Sequence, residues 1–227
     1  MDALWNMMEE ICAKRFDKGS IHWVDVTYIE DPFNFYVRPT SYRKYLQELE
    51  AYKPHSIDQT EAVLGTTVIY KSKVIKSFIR GKILSIEPSN TFEIQSLDFG
   101  CVDKSVPLTE MFKPLFNSNH VGASVLSCKL AYCYPIGGVW NKQSIDAMKD
   151  YVGEERAQIK IMENNRDKYV VELVNSCPDD IAMMLIKTDY ASFGFDVQKV
   201  SPLTSNADYG RFGLNIQKAN PQTSKTD

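Results

Sequence analysis

The chain has 227 residues, of which 44% are hydrophobic and 24% are charged, and its formal net charge is −3 at pH 7. This length and composition allow one sizeable hydrophobic core, or two small cores that share an element. The slight negative charge argues against broad phosphate binding, which depends on clustered Lys and Arg, and favours a basic peptide as partner. No apolar run approaches the roughly 20 residues that span a bilayer, so no membrane association is predicted.

Cysteine and histidine residues give no sign of a metal or catalytic centre. The five cysteines form an odd set without disulfide-framework or metal-binding spacing, which favours a reducing, cytosolic compartment. His22, His55 and His120 lack the i, i+4 pairing of metal ligands. Cys101 and His120 are candidates for a thiol–imidazole pair, but the sequence supplies no third group to orient them. We therefore predict no catalytic residue, no metal site and no cofactor, and a protein that is not an enzyme.

The beginning of the chain predicts a helix, two strands and a second helix. Apolar residues between Leu4 and Phe16 recur at helical spacing among charged ones. Residues 21–28 and 33–38 are rich in β-branched and aromatic side chains and flank a Glu-Asp-Pro turn, which predicts two strands. From Ser41, tyrosines and leucines step by three and four up to the next proline, which predicts a connector helix of about three turns.

The rest of the chain alternates strand-like runs with turns. Closely spaced runs after the connector are separated by Pro, Ser, Asn and Gly, which is typical of a small antiparallel barrel. Because strands are predicted both before the connector and after this barrel, the second subdomain is assembled from both flanks. The predicted strands are residues 66–70, 77–86, 91–97, 105–107, 124–134, 155–162 and 168–175, and the predicted helices are residues 144–151 and 179–190.

Several motifs in this order resemble those of the extended Tudor family, nearly from end to end. Val24–Thr27 followed by Asp31–Val37 resembles the family's opening of a strand, a proline and an aromatic strand. Phe78–Ile83 lies where members have Trp-Tyr-Arg-Ala, and Leu97–Cys101 lies where they have a turn of aspartate, aromatic, glycine and asparagine. Cys128–Trp140 resembles the family's cysteine, leucine, proline and tryptophan stretch.

The resemblance implies an α+β fold, mainly β with helices, in which a five-stranded Tudor barrel is inserted into a staphylococcal-nuclease-like OB fold through the connector helix. It implies a non-enzymatic domain that binds methylated arginines in the N-terminal tails of PIWI-class proteins, in piRNA-guided silencing of transposons. It also implies a cytoplasmic location in perinuclear germ granules (nuage). The implied parts are an N-terminal helix (1–20), the first OB part with the connector (21–60), the Tudor barrel (61–117), the rest of the OB fold (118–203) and a flexible tail (204–227).

Members of the family enclose a methylated guanidinium between aromatic rings, and the resemblance gives the corresponding positions in this sequence. Ile79 and Ser96 stand at two of the ring positions, and Cys101 stands where an asparagine would bind the guanidinium. Phe99 keeps one ring, and Tyr70 is the candidate for the remaining wall. The ligand-binding positions implied in this way are Tyr70, Phe78, Ile79, Ser96, Asp98, Phe99 and Cys101.

The loss of two rings changes which form of arginine is expected. At about 0.5–2 kcal/mol for each ring, a caged cation would bind roughly tenfold to several hundredfold more weakly. Unmodified arginine presents five donors in a rigid fork and prefers acceptors such as the Ser96 hydroxyl and nearby carboxylates. The hypothesis is a domain that binds the unmethylated tail of a PIWI-class protein. An ordinary dimethylarginine reader, an RNA-binding domain and an architectural domain stay open as alternatives.

Some of these residues also have structural interpretations. Arg80 and Asp98 lie on adjacent predicted strands, so Asp98 either pairs with Arg80 or receives the ligand. Phe99 is either a core ring or a cage wall, and Phe78 is expected to pack between the subdomains. Core-filling rings are predicted at Trp23, Tyr36 and Trp140. Candidates for steering a basic tail are Glu93, Asp103 and Glu110, and the best stretch for RNA contacts, residues 70–76, is short.

Overall fold

The computed structural model describes residues 16–43, 46, 55–114, 123–153, 156–165, 167–175 and 179–194. The predicted N-terminal helix as far as residue 15, most of the connector helix and the polar tail lie outside these residues. The described helices are α1 (Lys142–Val152) and α2 (Ile181–Lys187). The described strands are β1 (Ile21–Asp31), β2 (Asn34–Pro39), β3 (His55–Ser56), β4 (Thr67–Lys71), β5 (Phe78–Ile86), β6 (Thr91–Ser96), β7 (Val102–Pro107), β8 (Met111–Lys113), β9 (Leu126–Leu130), β10 (Cys133–Pro135), β11 (Ala157–Asn165), β12 (Lys168–Val174) and β13 (Ala191–Phe193).

A closed barrel forms from strands near both ends of the described chain, in the order β1-β11-β12-β9-β2. Alternate strand residues point inward, so apolar side chains such as Val24, Phe35 and Ile159 fill the interior. The helices α1 and α2 pack on this barrel and add to the same core. Each helix begins at a capping side chain: Asn141 accepts from the Ser144 N–H at 2.8 Å, and Asp180 accepts from the Met183 N–H at 2.8 Å.

The second sheet lies between β2 and β9 in the sequence and has the order β3-β8-β4-β5-β6-β7. Its own core contains Tyr70, Ile79, Ile83 and Phe92, so it does not share the interior of the closed barrel. The architecture therefore confirms the predicted mainly β, α+β fold with one β unit inserted into another. The sequence pattern predicted four strands for the inserted unit and the resemblance implied five, whereas the structure has six, because the short strands β3 and β8 pair with each other.

The single strand predicted over residues 124–134 is wrong. The chain forms β9, turns at Ala131 and Tyr132, and continues as β10. Tyr132 has a φ of 56°, and a residue in this left-handed conformation ends the extended strand. β10 then leaves the closed barrel and pairs with β13.

The two β units meet at the turn that follows β6. Gly100 in this turn has a φ of +87°, and a Cβ at this position would lie 2.1 Å from Cγ of Tyr36 on β2. Glycine is therefore required both for the backbone conformation and for the close approach of the Tyr36 ring. Thr27 on β1 donates a hydrogen bond to the Phe99 carbonyl at 2.9 Å. These contacts fix the turn against the first two strands of the closed barrel.

Candidate functional site

A buried ion pair lies beneath this turn. Asp98 is 0% exposed and Arg80 is 2% exposed, and Arg80 Nη2 lies 2.7 Å from Asp98 Oδ1. The Arg80 backbone N–H donates to Oδ2 at 3.1 Å, and Ser124 Oγ donates to Oδ1 at 3.0 Å. Arg80 Nη2 also donates to the Tyr42 hydroxyl at 2.7 Å. The carboxylate of Asp98 thus accepts hydrogen bonds from buried groups of the protein itself, as expected for a structural ion pair.

Two of the predicted ligand-binding positions on the strands lie in the interior of the inserted sheet. Ile79 is 1% exposed and belongs to the hydrophobic core. Ser96 is 2% exposed, and its Oγ accepts from the backbone N–H groups of Asp98 at 3.3 Å and Phe99 at 3.0 Å. The Ser96 hydroxyl therefore stabilises the turn after β6 and does not have the predicted role of contacting a ligand.

Tyr70 and Cys101 are also buried, close to Asp103. The Tyr70 hydroxyl donates to Asp103 Oδ2 at 2.9 Å, and Ser72 Oγ donates to the same oxygen at 2.7 Å. The Lys73 N–H donates to Oδ1 at 2.9 Å. Burial raises the pKa of Tyr70, and it raises the pKa of Cys101 to about 11. Asp103 is 2% exposed, so it holds the loop between β4 and β5 and does not present its charge to a basic tail.

Of the two predicted cage rings, Tyr70 and Phe99, Phe99 stays partly exposed, and an internal arginine contacts it. The Arg38 Cζ atom lies 4.7 Å from the centroid of the Phe99 ring, and Arg38 Nη1 donates to the Asp98 carbonyl at 2.7 Å. Arg38 is 5% exposed, and its Nε has no hydrogen-bond partner within the described chain. Burial lowers the pKa of Arg38, and the charges of Asp98 and Asp25 oppose that shift. A guanidinium from the protein itself therefore already contacts Phe99.

An open pocket of about 280 Å³ lies beside Phe99. A bulge in β1 shifts the strand register between Val26 and Tyr28. Bulges redirect a side chain from the strand face, and here the Thr27 hydroxyl reaches the carbonyls of Phe99 and of Tyr36. The lining residues come from β1, β2, the segment after β2, the end of α1 and the turn after β6: Asp25, Val26, Thr27, Arg38, Arg43, Phe99 and Gly153.

Asp25 is the carboxylate of this pocket. Its side chain is 13% exposed and receives the fork of Arg43, with Nε 2.8 Å from Oδ2 and Nη2 2.5 Å from Oδ1. Arg38 Nη2 lies 3.9 Å from Oδ2. The hydrogen bond with Asp25 raises the pKa of Arg43. Two guanidinium groups therefore share one carboxylate at the pocket.

Other residues selected from the sequence lie away from the pocket lining. Phe78 packs edge-on against Phe112 of the same sheet, with ring centroids 5.5 Å apart. Glu93 accepts from Ser85 Oγ at 3.1 Å. The prediction that Trp23 fills a core is wrong, because it lies on the outer face of β1 and is 56% exposed.

The described residues contain no cluster of three or more His, Cys, Asp or Glu side chains that could hold a metal ion. No helix in the same part of the chain is long and apolar enough to cross a membrane. Of the thiol–imidazole pair considered from the sequence, Cys101 is buried, and His120 lies outside the described residues.

Sequence reasoning missed four polar residues of the pocket: Asp25, Thr27, Arg38 and Arg43. Asp25 and Thr27 lie in the motif Val24–Thr27, which was considered only because it resembles the opening strand of the family. One signal was available, because Asp25 and Arg38 are charged residues within predicted strands joined by a short turn. The structure places them directly opposite each other in the β1–β2 register.

Comparison with known proteins gives a family and a set of structural neighbours. Residues 17–131 match the family model of the Tudor domain. A mouse TDRD1 extended Tudor domain, in complex with a MILI peptide containing dimethylarginine, is 19% identical with a TM-score of 0.67, over 80% of this chain and 97% of that chain. A human TDRD1 extended Tudor domain, in complex with a symmetrically dimethylated peptide, is 17% identical with a TM-score of 0.69, over 80% and 94%. The extended Tudor domain of Drosophila melanogaster Papi, with one aspartate replaced by alanine and in complex with an unmethylated Piwi N-terminal peptide, is 16% identical with a TM-score of 0.66, over 76% and 98%. These likenesses show the fold.

Proposed function

This chain belongs to the Tudor domain family and has the extended Tudor fold, and we propose that it binds the unmethylated, arginine-containing N-terminal tail of a PIWI-class protein. Tudor domains are non-enzymatic peptide-binding modules. The support for the class of partner is the MILI and Piwi peptides held by neighbours of the same fold. The proposed preference for the unmethylated form is supported by the environment of Phe99.

A cage for a methylated guanidinium needs several ring faces directed at one point. Here the side chains of Ile79 and Ser96 are buried at two of the ring positions, and Tyr70 is 0% exposed. Phe99 is contacted by the guanidinium of Arg38. A methylated arginine would therefore lack contacts with at least two rings. Its affinity would be roughly tenfold to several hundredfold lower than in a complete cage.

The open space beside Phe99 is lined instead by groups that form hydrogen bonds and ion pairs. Asp25 brings a carboxylate to this pocket. An unmodified guanidinium has the larger number of N–H donors and is recognised by a carboxylate through two parallel hydrogen bonds. Methylation keeps the charge but removes donors and adds bulk, so it weakens this kind of recognition.

The test is isothermal titration calorimetry with N-terminal tail peptides of PIWI-class proteins, including the Piwi peptide of the Papi complexes. Each peptide is measured in three forms: unmodified, symmetrically dimethylated at the arginine, and with that arginine replaced by lysine. The unmodified form is expected to bind tightest, because only it presents the full fork of donors. Equal or tighter binding of the dimethylated form would refute the proposed preference.

Titrations with these peptides and with single-stranded RNA separate the other functions. Absence of heat with every peptide would identify an architectural domain. Single-stranded RNA binding that falls steeply with added salt would identify a nucleic-acid module, because such binding depends on counterion release. With the proposed partner, the domain acts in piRNA-guided transposon silencing at perinuclear germ granules. Immunofluorescence of the protein in germ cells tests that location.

A further inference from the structure

The pocket beside Phe99 contains one bound guanidinium that is exposed to solvent. Arg43 has 46% of its side chain exposed, and its Nε and Nη2 atoms form the two-bond fork on Asp25. Asp25 itself is held by the strand β1 and is only 13% exposed. The carboxylate is therefore fixed, whereas the arginine that covers it reaches in from the surface.

We infer that Asp25 is the carboxylate that receives the ligand's arginine, and that Arg43 occupies this place in the unbound protein and leaves it when the peptide binds. This inference rests on the proposed function, since it identifies the acceptor of the same ligand. Arg43 and a peptide arginine carry the same planar fork, so one can replace the other on the two oxygens of Asp25 without a change in the geometry of the acceptor.

The two other carboxylates near the turn do not fit this role. Asp98 is 0% exposed and receives Arg80 and Ser124 on its oxygens. Asp103 is 2% exposed and accepts hydrogen bonds on both oxygens from Tyr70 and from the loop between β4 and β5. Asp25 lines the pocket and is paired with a surface side chain.

Electrostatics requires an exchange and not a simple addition. The pocket already holds the guanidinium groups of Arg38 and Arg43 against one carboxylate. A third cation would face two like charges at close range, which disfavours binding. Arg38 is 5% exposed and donates to the Asp98 carbonyl, so it stays in place. Arg43 is solvated on one side, so its release costs little, as is usual for an exposed pair.

The first test removes the internal competitor. Arg43→Ala is expected to bind the tightest unmodified peptide of the panel about two- to fivefold more strongly than the wild type, the range given by a surface ion pair. Lys187→Ala is the matched control, because Lys187 is 56% exposed, pairs with Asp179 at 2.6 Å and carries the same charge. This control is expected to change affinity by less than about twofold, since it reproduces only the change in net charge.

The second test removes the acceptor. In the Arg43→Ala background, where no internal arginine competes, the further change Asp25→Asn is expected to weaken binding of the same peptide by about tenfold or more, because a charge-assisted pair is lost. It is also expected to reduce the difference between the unmodified and dimethylated peptides. Thermal denaturation of each variant establishes that it is folded, and Arg43→Ala supplies an independent reading because its side chain is exposed.

The outcomes separate the two proposals. If the wild type binds no unmodified arginine peptide, the proposed function fails and this inference fails with it. If the wild type binds but Arg43→Ala leaves affinity unchanged or lowers it, the exchange is overturned and the proposed function stands. Undiminished binding by the folded double variant, relative to Arg43→Ala, would overturn the role of Asp25 as acceptor and the exchange with it, and the proposed function would stand.

Discussion

Substitution of Asp98 by asparagine tests whether this carboxylate supports the fold or receives the ligand. Asp98 is 0% exposed, and its oxygens accept from Arg80 Nη2 at 2.7 Å, from the Arg80 N–H at 3.1 Å and from Ser124 Oγ at 3.0 Å. Asparagine keeps the shape of the side chain but removes the charge and one acceptor. Arg80, which is 2% exposed, would then carry an uncompensated charge in the interior.

The expected cost follows from that burial. Breaking a buried pair by removing one partner costs about 3–5 kcal/mol, because the remaining charge stays desolvated. For a chain of this length each kcal/mol lowers the melting temperature by about 2–4 °C, so the expected decrease is about 6–20 °C. The peptide affinity of the molecules that remain folded should change little, because Asp98 faces inward.

The measurement is urea unfolding and thermal denaturation followed by circular dichroism, together with titration of an unmodified arginine peptide. The control is Asp179→Asn, which removes a carboxylate from a surface pair with Lys187 whose side chains are 45% and 56% exposed. That variant should lose at most about 1 kcal/mol. A stable Asp98→Asn protein that no longer binds the peptide would refute the structural assignment and identify Asp98 as a ligand residue.

Four further results are expected. Gly100→Ala should lower the free energy of unfolding by about 2–4 kcal/mol in urea, because its Cβ would lie 2.1 Å from the Tyr36 ring at a φ of +87°. Asp103→Ala should cost about 3 kcal/mol in the same assay, because it leaves buried donors without an acceptor. Burial raises the pKa of Cys101 to about 11 and that of Cys133 to about 12, so both should resist alkylation at pH 8.5 until the protein is unfolded, as read by mass spectrometry. Because the unfolded thiols lose their protons first, stability should also fall as the pH rises from 9 toward 11.

The sequence predicted most elements because their signals are local. The helix expected over residues 144–151 is α1, Lys142–Val152, and the hairpin expected around residues 164–166 is formed by β11 and β12. Amphipathic spacing and turn residues act over a few positions, so they can be read without tertiary information. The strand expected over residues 124–134 failed because Tyr132 adopts a left-handed conformation that no residue pattern indicates. Trp23 was assigned to a core because its size suggests burial, whereas its face of β1 lies outside.

By itself, the sequence determined that Ile79 and Ser96 supply no aromatic ring and that Cys101 supplies no amide, because residue identity does not depend on the fold. Together with the cage positions that the resemblance implies, these identities predicted an incomplete cage. Only the tertiary structure decided that Arg38 contacts Phe99, since 60 residues separate Arg38 from the turn that it joins at Asp98. Such a contact depends on how two separately formed cores dock, and docking is set by the shapes of both surfaces. The local periodicity of the sequence contains no information about those shapes.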